Sequence, residues 1–176
     1  IEVLENENRT LKVSGPPADI IEIVGLGDPV IRRTDLVKAF KGLEGFSKED
    51  IVDDLNAEEA VKEAFKLRKN NVHRPNQQGK LRFTLIHTPD SRILATLARK
   101  NTDIVFAGHT HGGQVRLPFI GAIISGCRIK TRFASGLFYL QKMVLYISRG
   151  LGEGKYSQFR LYCPPEASII TLNRIT

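Results

Sequence analysis

The sequence predicts an α/β fold, and three observations lead to that prediction. Residues 81–86 alternate as a strand, residues 92–100 carry a helical pattern, and Ile104–Ala107 is a second apolar strand. Histidines follow both strands, as in α/β proteins that build sites at the carboxyl edge of a sheet. Hydrophobic residues make up 41% and charged residues 26% of the 176 residues, which fits one globular domain rather than a disordered chain.

The first part of the chain predicts a hairpin, a buried strand and then helices. Residues 1–4 and 10–13 flank an Asn-rich turn, and residues 20–24 form a β-branched run. From residue 34 to about residue 70 the pattern is helical, with Ser47 and Asn56 as two helix starts. We expect two or three helices there. Residues 72–80 indicate a surface loop.

The rest of the chain predicts one more helix and further strands. Ser91 is the expected cap of helix 92–100. Residues 136–140 and 143–148 predict a hairpin, and residues 159–162 and 167–172 predict two closing strands.

The positive charge lies in the second half of the chain. Residues 1–88 hold 14 basic and 15 acidic side chains, whereas residues 89–176 hold 12 and 4. The positive electrostatic field of the second half attracts anions such as phosphate esters, nucleic acid or acidic lipids without selecting among them. A solvated basic face without a partner is the alternative.

Several classes of protein are excluded or disfavoured. No run of about 18 uncharged apolar residues is present, and no secretory signal pattern opens the sequence. The two cysteines, Cys127 and Cys163, form no C-x-x-C and no disulfide framework, which favours reduced thiols.

Two segments beyond residue 114 allow two interpretations each. Arg128, Lys130 and Arg132 recur at every second residue, so on a strand they would form one basic face. That face would bind a substrate's anionic group or an acidic lipid surface, or it would be a solvated edge. The apolar stretch of residues 115–124 is expected to pack in the core, and contact with an acyl chain is the alternative.

Three histidines are the candidate metal ligands: His87, His109 and His111. In an extended backbone His109 and His111 would project roughly 6–7 Å apart, which suits two neighbouring metals better than one. Glycines on both sides allow the tight backbone dihedrals that a metal loop needs. Imidazole is a ligand for Zn, Fe and Mn rather than for Ca or Mg.

The segment from Gly108 to Pro118, Gly-His-Thr-His-Gly-Gly-Gln-Val-Arg-Leu-Pro, resembles the last signature block of the calcineurin-like metallophosphoesterases in a bacterial, envelope-associated branch. Four flanking segments resemble that branch as well, so the resemblance covers most of the chain except about residues 34–80. These segments are Val-Leu-Glu-Asn-Glu at 3–7, His-Thr-Pro-Asp at 87–90, Ser-Arg-Gly-Leu-Gly at 148–152 and Cys-Pro-Pro-Glu at 163–166.

The resemblance implies an α/β/β/α sandwich with mixed sheets flanked by helices, and a phosphoesterase with two divalent metal ions (Mn, Fe or Zn). By position His87 and His109 would bind one ion and His111 the other. Arg149 in its glycine turn and Arg128 are candidates for binding the phosphoester substrate, because a guanidinium donates two hydrogen bonds to a phosphate. A surface arginine without a ligand is the alternative. Residues 1–176 would then be one partial domain with an atypical helical insertion at about 34–80.

The family's earlier blocks, Asp-x-His, Gly-Asp and Gly-Asn-His, do not occur in the expected order. Asp28 follows a glycine but lies after the position of those blocks, and residues 89–176 hold only four carboxylates. The resemblance therefore implies that this chain is the C-terminal portion of an enzyme whose other ligands lie in a missing N-terminal half.

Two other functions remain alternatives. One is a basic module that binds anionic lipid or nucleic acid and whose histidines hold one structural ion or none. Nucleic acid is the weaker of those two ligands, because the aromatic interleaving of single-strand binders is absent. The other is a degenerate relative without catalysis. We expect a bacterial protein that lies in the cytoplasm or is held at the membrane or envelope by segments outside this chain.

Overall fold

A computed structural model describes residues 1–13, 19–66, 80–100, 102–154 and 158–172. The α/β prediction is confirmed, since these ranges form a six-stranded mixed sheet and a two-stranded sheet together with a few helices. The strands are β1 (Glu7–Val13), β2 (Asp19–Gly25), β3 (Lys80–Ile86), β4 (Ile104–Ala107), β5 (Arg116–Leu117), β6 (Gly121–Ala122), β7 (Gly136–Leu140) and β8 (Met143–Ile147). The α-helices are α1 (Leu36–Ala39), α2 (Asp54–Lys66) and α3 (Ser91–Arg99).

The large sheet has the order β1-β2-β3-β4-β8-β7. Its four inner strands, β2, β3, β4 and β8, are parallel, and the two edge strands are antiparallel to their neighbours. Ile86 pairs with Ala107, which pairs with Ile147, so β3, β4 and β8 end level with one another. The loops that follow these three strands therefore meet at one edge of the sheet.

One face of the large sheet carries the core. Ile93 and Leu97 of α3 are fully buried, as are Val105 and Leu145 on the strands. Residues of α2 belong to the same core cluster, which places the helical segment against this face. No helix within the described ranges is long and apolar enough to span a membrane.

The opposite face of the sheet is apolar but only partly covered, and we call it the open sheet face. Its members follow one another across paired strands: Leu11, Ile23, Phe83, Leu85, Phe106, Tyr146 and Leu137. Leu11, Leu85 and Leu137 are 49%, 42% and 50% exposed. Contiguous exposed apolar surface of this kind is typical of a face that contacts another protein segment, a membrane or a ligand.

The N-terminal hairpin prediction is wrong in its partner. Residues 1–4 form no strand, and β1 pairs instead with β2. Asn6 is not a turn residue but a buried connector, whose Oδ1 accepts from the backbone N–H groups of Gly27 and Asp35 at 2.9 Å each. Its Nδ2 donates to the Arg33 carbonyl, so this amide fixes the chain on both sides of the β2 end.

The predicted helical segment contains α1, a 3-10 turn at Lys48–Asp50 and α2. Ser47 starts the 3-10 turn through a capping box with Asp50, as expected, but α2 starts at Asp54, ahead of Asn56. Asp90, rather than Ser91, caps α3, because its carboxylate accepts from two backbone N–H groups of the first turn. Of the predicted loop at 72–80, residues 72–79 lie outside the described residues, and Lys80 begins β3 instead.

Three further expectations about the second half of the chain are corrected. The closing strands at 159–162 and 167–172 are wrong, because residues 158–172 contribute only one isolated bridge, from Leu161 to Val115. The segment from Arg128 to Arg132 is not a strand, since it bends into a 3-10 turn at Thr131–Phe133. Core packing of residues 115–124 is also wrong, because most of their apolar side chains are exposed.

A buried ion pair joins two inner strands of the large sheet. The Arg82 guanidinium donates to the Glu22 carboxylate at 2.7 Å on paired positions of β2 and β3, and both side chains are nearly inaccessible. The Glu44 carbonyl also accepts from Arg82 at 3.1 Å, and Phe40 lies against the guanidinium. A buried charge that loses its partner is strongly destabilising.

Replacing Arg82 by Met should lower the free energy of unfolding by about 3–5 kcal/mol, because the Glu22 carboxylate would stay buried without a cation. The double replacement Glu22→Leu with Arg82→Met should recover most of that loss. Arg9→Met is the matched control, since Arg9 pairs with Glu2 at an exposed position. Loss of an exposed ion pair lowers the free energy of unfolding by only about 0–1 kcal/mol. Urea unfolding measures all three, and equal losses for Arg82→Met and Arg9→Met would contradict this account.

Candidate functional site

The level ends of β3 and β4 bring His87 and His109 to the same edge of the sheet. His87 directly follows β3, and His109 lies two residues beyond β4. The backbone N–H of Gly108 donates to the His87 carbonyl at 3.0 Å, which continues the strand pairing one step past the strands. Sheet register therefore sets the positions of these two imidazoles.

The two rings are in direct contact. Nδ1 of His109 lies 3.3 Å from Nε2 of His87, and the ring planes cross at 87°. Nε2 of His109 lies 3.3 Å from the Gly126 carbonyl. Because a carbonyl only accepts, Nε2 of His109 is the donor in this contact.

This nitrogen spacing fits two ligands of one metal ion. Histidine nitrogens bind Zn at about 2.0–2.1 Å, so two of them in a tetrahedral shell lie about 3.3–3.4 Å apart. The observed separation of 3.3 Å between His109 and His87 agrees with that value. The carbonyl contact of His109 is the outer interaction that metal-binding histidines usually make.

His111 lies on the same loop but in a different environment. Its Nδ1 donates to the Gly152 carbonyl at 3.1 Å, which leaves Nε2 unprotonated. Partial burial lowers the pKa of His111, and the nearby Arg160 cation acts in the same direction. A neutral ring with a fixed tautomer is the form that binds a metal.

The loop that carries the histidines has a backbone that is unusual outside glycine. His109, His111 and Gln114 all have positive φ, at 65°, 47° and 51°. Non-glycine residues with positive φ are uncommon and concentrate at functional sites. At Gly112 the reason for glycine is space as well, since a Cβ there would lie 2.7 Å from the Cys163 sulfur.

Buried polar contacts hold this loop in place. The Thr110 hydroxyl donates to the Ala134 carbonyl at 2.6 Å. The Gln114 side chain joins the loop to residues 150–160, because its Oε1 accepts from the Gly154 N–H and its Nε2 donates to the Phe159 carbonyl. These contacts offset the cost of the strained backbone.

Arg160 is a residue of the site that sequence reasoning missed. Its guanidinium donates to the His111 carbonyl at 3.2 Å and also to the Gly152 carbonyl, the group that fixes the His111 ring. It further bridges the carbonyls of Arg149 and Cys163 at 3.0 and 3.2 Å. A lone arginine between Phe159 and Leu161 was the only local signal for this role.

The structure brings His87 and His109 together but does not add His111 to that pair. Within residues 1–13, 19–66, 80–100, 102–154 and 158–172, no three His, Cys, Asp or Glu side chains are grouped so that they could hold an ion. Asp28 accepts from the Val30 N–H in its own turn.

The two predicted substrate arginines lie in different places. Arg149 packs beside Gly112, and its guanidinium lies 3.6 Å from the Glu166 carboxylate. Arg128 is exposed and lines a cavity that also contains Thr88 and Gly126, the neighbours of the histidine pair.

Comparison with known proteins finds bacterial relatives. The chain is 35% identical to the uncharacterized metallophosphoesterase YkuE of Bacillus subtilis over half of its length. It is 34% identical to the phosphodiesterase YaeI of Escherichia coli over 52% of its length. Over 96% of the chain it is 30% identical to the UDP-2,3-diacylglucosamine pyrophosphatase LpxG of Chlamydia muridarum.

These matches span 29%, 32% and 40% of the length of the three relatives. No family model matches the chain. No solved structure matches it either.

Cys127 follows the carbonyl that binds His109, and its thiol should be unreactive at ordinary pH. Burial raises the pKa of Cys127 to about 11. At pH 8 alkylation should therefore be about 100-fold slower than that of glutathione, and the rate should rise with pH up to about pH 11. Peptide mass spectrometry after timed iodoacetamide treatment measures the rate at this cysteine. Labelling of Cys127 at the glutathione rate at pH 8 would contradict the raised pKa of this thiol.

Proposed function

This chain is a homologue of bacterial metallophosphoesterases of the calcineurin-like family, and we propose that it supplies the histidine half of a two-metal site that hydrolyses phosphoesters. The observation that carries the proposal is the contact of His87 and His109 at the carboxyl edge of the sheet, 3.3 Å between ring nitrogens. The names of the relatives support phosphoesterase activity at the level of the family.

His87 and His109 would hold one ion through Nε2 and Nδ1, and His111 would hold the second through Nε2. Two divalent ions, Mn, Fe or Zn, supply Lewis-acid stabilisation of the charge on a transferring phosphoryl group. The protein's own contribution is orientation. The Gly126 and Gly152 carbonyls fix the tautomers of the His109 and His111 rings. Arg160 donates to the Gly152 carbonyl and holds its backbone segment in place.

The remaining ligands would be anionic and would come from chain outside these 176 residues. Three neutral imidazoles cannot balance two divalent ions. The open sheet face supports this part of the proposal, because a second sheet packed on Leu85 and Phe106 would arrive beside His87. In this proposal residues 1–176 are one partial domain, and the helical insertion at about 34–80 belongs to it, since Val52 and Val61 share the core of Ile93.

The apolar hairpin, residues 115–124 with β5 and β6, supports an anionic membrane surface as a partner. Phe119 at its tip is fully exposed with a φ of 66°, and Ile120 is 74% exposed. Arg128, Lys130 and Arg132 lie exposed on the segment that follows. Exposed apolar tips beside cations are typical of proteins that bind the interface of anionic bilayers. A lipid-linked phosphoester or pyrophosphate is the substrate class that this surface favours, and LpxG is named for such a substrate.

Loss of one histidine should abolish the activity of the complete protein. His109→Ala and His111→Ala should each reduce hydrolysis of bis(p-nitrophenyl) phosphate with added Mn by more than about 100-fold, because each removes a ligand. His73→Ala, the fourth histidine, is the matched control. Elemental analysis should find two Mn, Fe or Zn ions per wild-type chain and fewer in both variants. Unchanged turnover in His109→Ala would refute the proposal.

The membrane contact is tested separately. Phe119→Ser with Ile120→Ser should weaken binding to phosphatidylglycerol vesicles by about tenfold or more, since two apolar side chains lose their burial in the bilayer. Hydrolysis of the soluble diester should change much less. Leu55→Ser is the control, because Leu55 is 96% exposed on α2. Equal loss of vesicle binding and hydrolysis would indicate unfolding instead.

A further inference from the structure

The turn that follows β2 carries an exposed apolar pair next to an arginine. Val30 and Ile31 are 58% and 57% exposed, and the Arg32 side chain beside them is exposed as well. We call residues 29–33 the basic turn. Because β2 is parallel to β3, the basic turn lies at the same edge of the sheet as the loop that begins with His87.

Hydrogen bonds hold the basic turn at both of its ends. Oδ1 of the buried Asn6 accepts from the Gly27 N–H before the turn and from the Asp35 N–H after it, at 2.9 Å each. Its Nδ2 donates to the carbonyl of Arg33, the last residue of the turn. A segment that is already ordered loses little conformational entropy when it binds a partner. The basic turn is therefore preorganised for binding.

A cavity of about 630 Å³ is lined by the basic turn and by residues 126–128. Three of its lining residues are arginines, namely Arg32, Arg92 and Arg128, and we call it the arginine cavity. Val30 also belongs to its wall. The apolar hairpin ends at residue 124, two residues before the other wall begins. Each of these two walls is thus joined to exposed apolar side chains.

The cavity holds more positive charge than its carboxylates balance. Asp90 caps α3 by accepting from two backbone N–H groups. Asp54 lies 3.8 Å from Arg92 and 3.6 Å from Arg128, distances longer than a hydrogen-bonded ion pair. Arg32 has no ion-pair partner in the described part of the chain. Its guanidinium can therefore bind an anion without breaking a contact.

We propose that the arginine cavity binds the phosphate of an anionic phospholipid headgroup, while Val30 and Ile31 enter the interface of the bilayer. The inference rests on the proposed membrane contact and adds a specific lipid site, separate from the substrate at the histidines. A planar guanidinium donates two parallel hydrogen bonds to a phosphate, and the volume is in the range of small-ligand pockets.

The apolar pair favours a lipid over a phosphate that is free in solution. Exposed apolar side chains beside cations are typical of proteins at the interface of anionic bilayers. A dissolved phosphate would contact the guanidinium groups alone and would leave Val30 and Ile31 in water. A headgroup in the cavity instead places both side chains next to acyl chains.

Vesicle binding by the complete protein tests the inference, with vesicles of equal parts phosphatidylglycerol and phosphatidylcholine. Arg32→Gln should weaken binding by about 20-fold or more, because it removes charged hydrogen bonds to the headgroup as well as one charge. Arg33→Gln is the matched control, an exposed arginine of the same turn that lies 3.7 Å from Glu5 and does not line the cavity. It removes the same charge and should weaken binding by about fivefold or less.

Two further variants separate a headgroup site from a diffuse charge effect and from a soluble ligand. Arg32→Lys keeps the charge but loses the planar pair of donors, so it should still weaken vesicle binding by about fivefold. Val30→Ser with Ile31→Ser should weaken vesicle binding by about tenfold, because two apolar side chains lose their burial in the bilayer.

Equal losses in Arg32→Gln and Arg33→Gln, or full vesicle binding by Arg32→Lys, would overturn the headgroup site. Full vesicle binding by the double serine variant would overturn the lipid as the source of the phosphate. Hydrolysis of bis(p-nitrophenyl) phosphate should stay at the wild-type rate in all of these variants. Absence of that hydrolysis in the wild type would refute the proposed phosphoesterase but would not change the vesicle result.

Discussion

The parallel register of β3, β4 and β8 is the constraint on which the rest of this structure depends. Ile86, Ala107 and Ile147 are aligned across the sheet, so the three following loops begin at the same level. A slip of one residue in β4 would turn Phe106 to the core face and carry His109 away from His87. The apolar side chains that α3 covers oppose that slip, because it would move Val105 off the core face that it shares with Leu145. Core packing and site geometry are thus set by the same alignment.

The backbone of the histidine loop is strained, and the surrounding polar groups offset the free-energy cost of that strain. A loop with positive φ at His109 and His111 is unfavourable by itself. Thr110 anchors its centre, while Gln114 and Arg160 bind it to residues 149–163. Arg160 also donates to the Gly152 carbonyl, which accepts from the ring of His111. Stability and ligand geometry therefore cannot be separated at this loop.

The molecule has two exposed apolar surfaces of different character. The open sheet face is broad and continuous across paired strands, which suits another protein layer. The apolar hairpin is a narrow tip next to exposed cations, which suits the interface of an anionic bilayer. Gly113 connects the hairpin to the site, since a Cβ there would lie 2.5 Å from the Cβ of Ala122. An occupant of the apolar hairpin would thus lie close to the histidine loop.

Local patterns in the sequence determined the α/β class, the strands that bracket α3, the β7–β8 hairpin and the glycine frame of His109 and His111. Each of these follows from residue periodicity or from residue types within a few positions. Only the tertiary structure decided that β1 pairs with β2, that residues 115–124 are exposed, and that Arg160 reaches the histidine loop across 49 residues. The physical reason is that a pattern shows which face a side chain takes, whereas burial and hydrogen bonding depend on which distant segment covers that face.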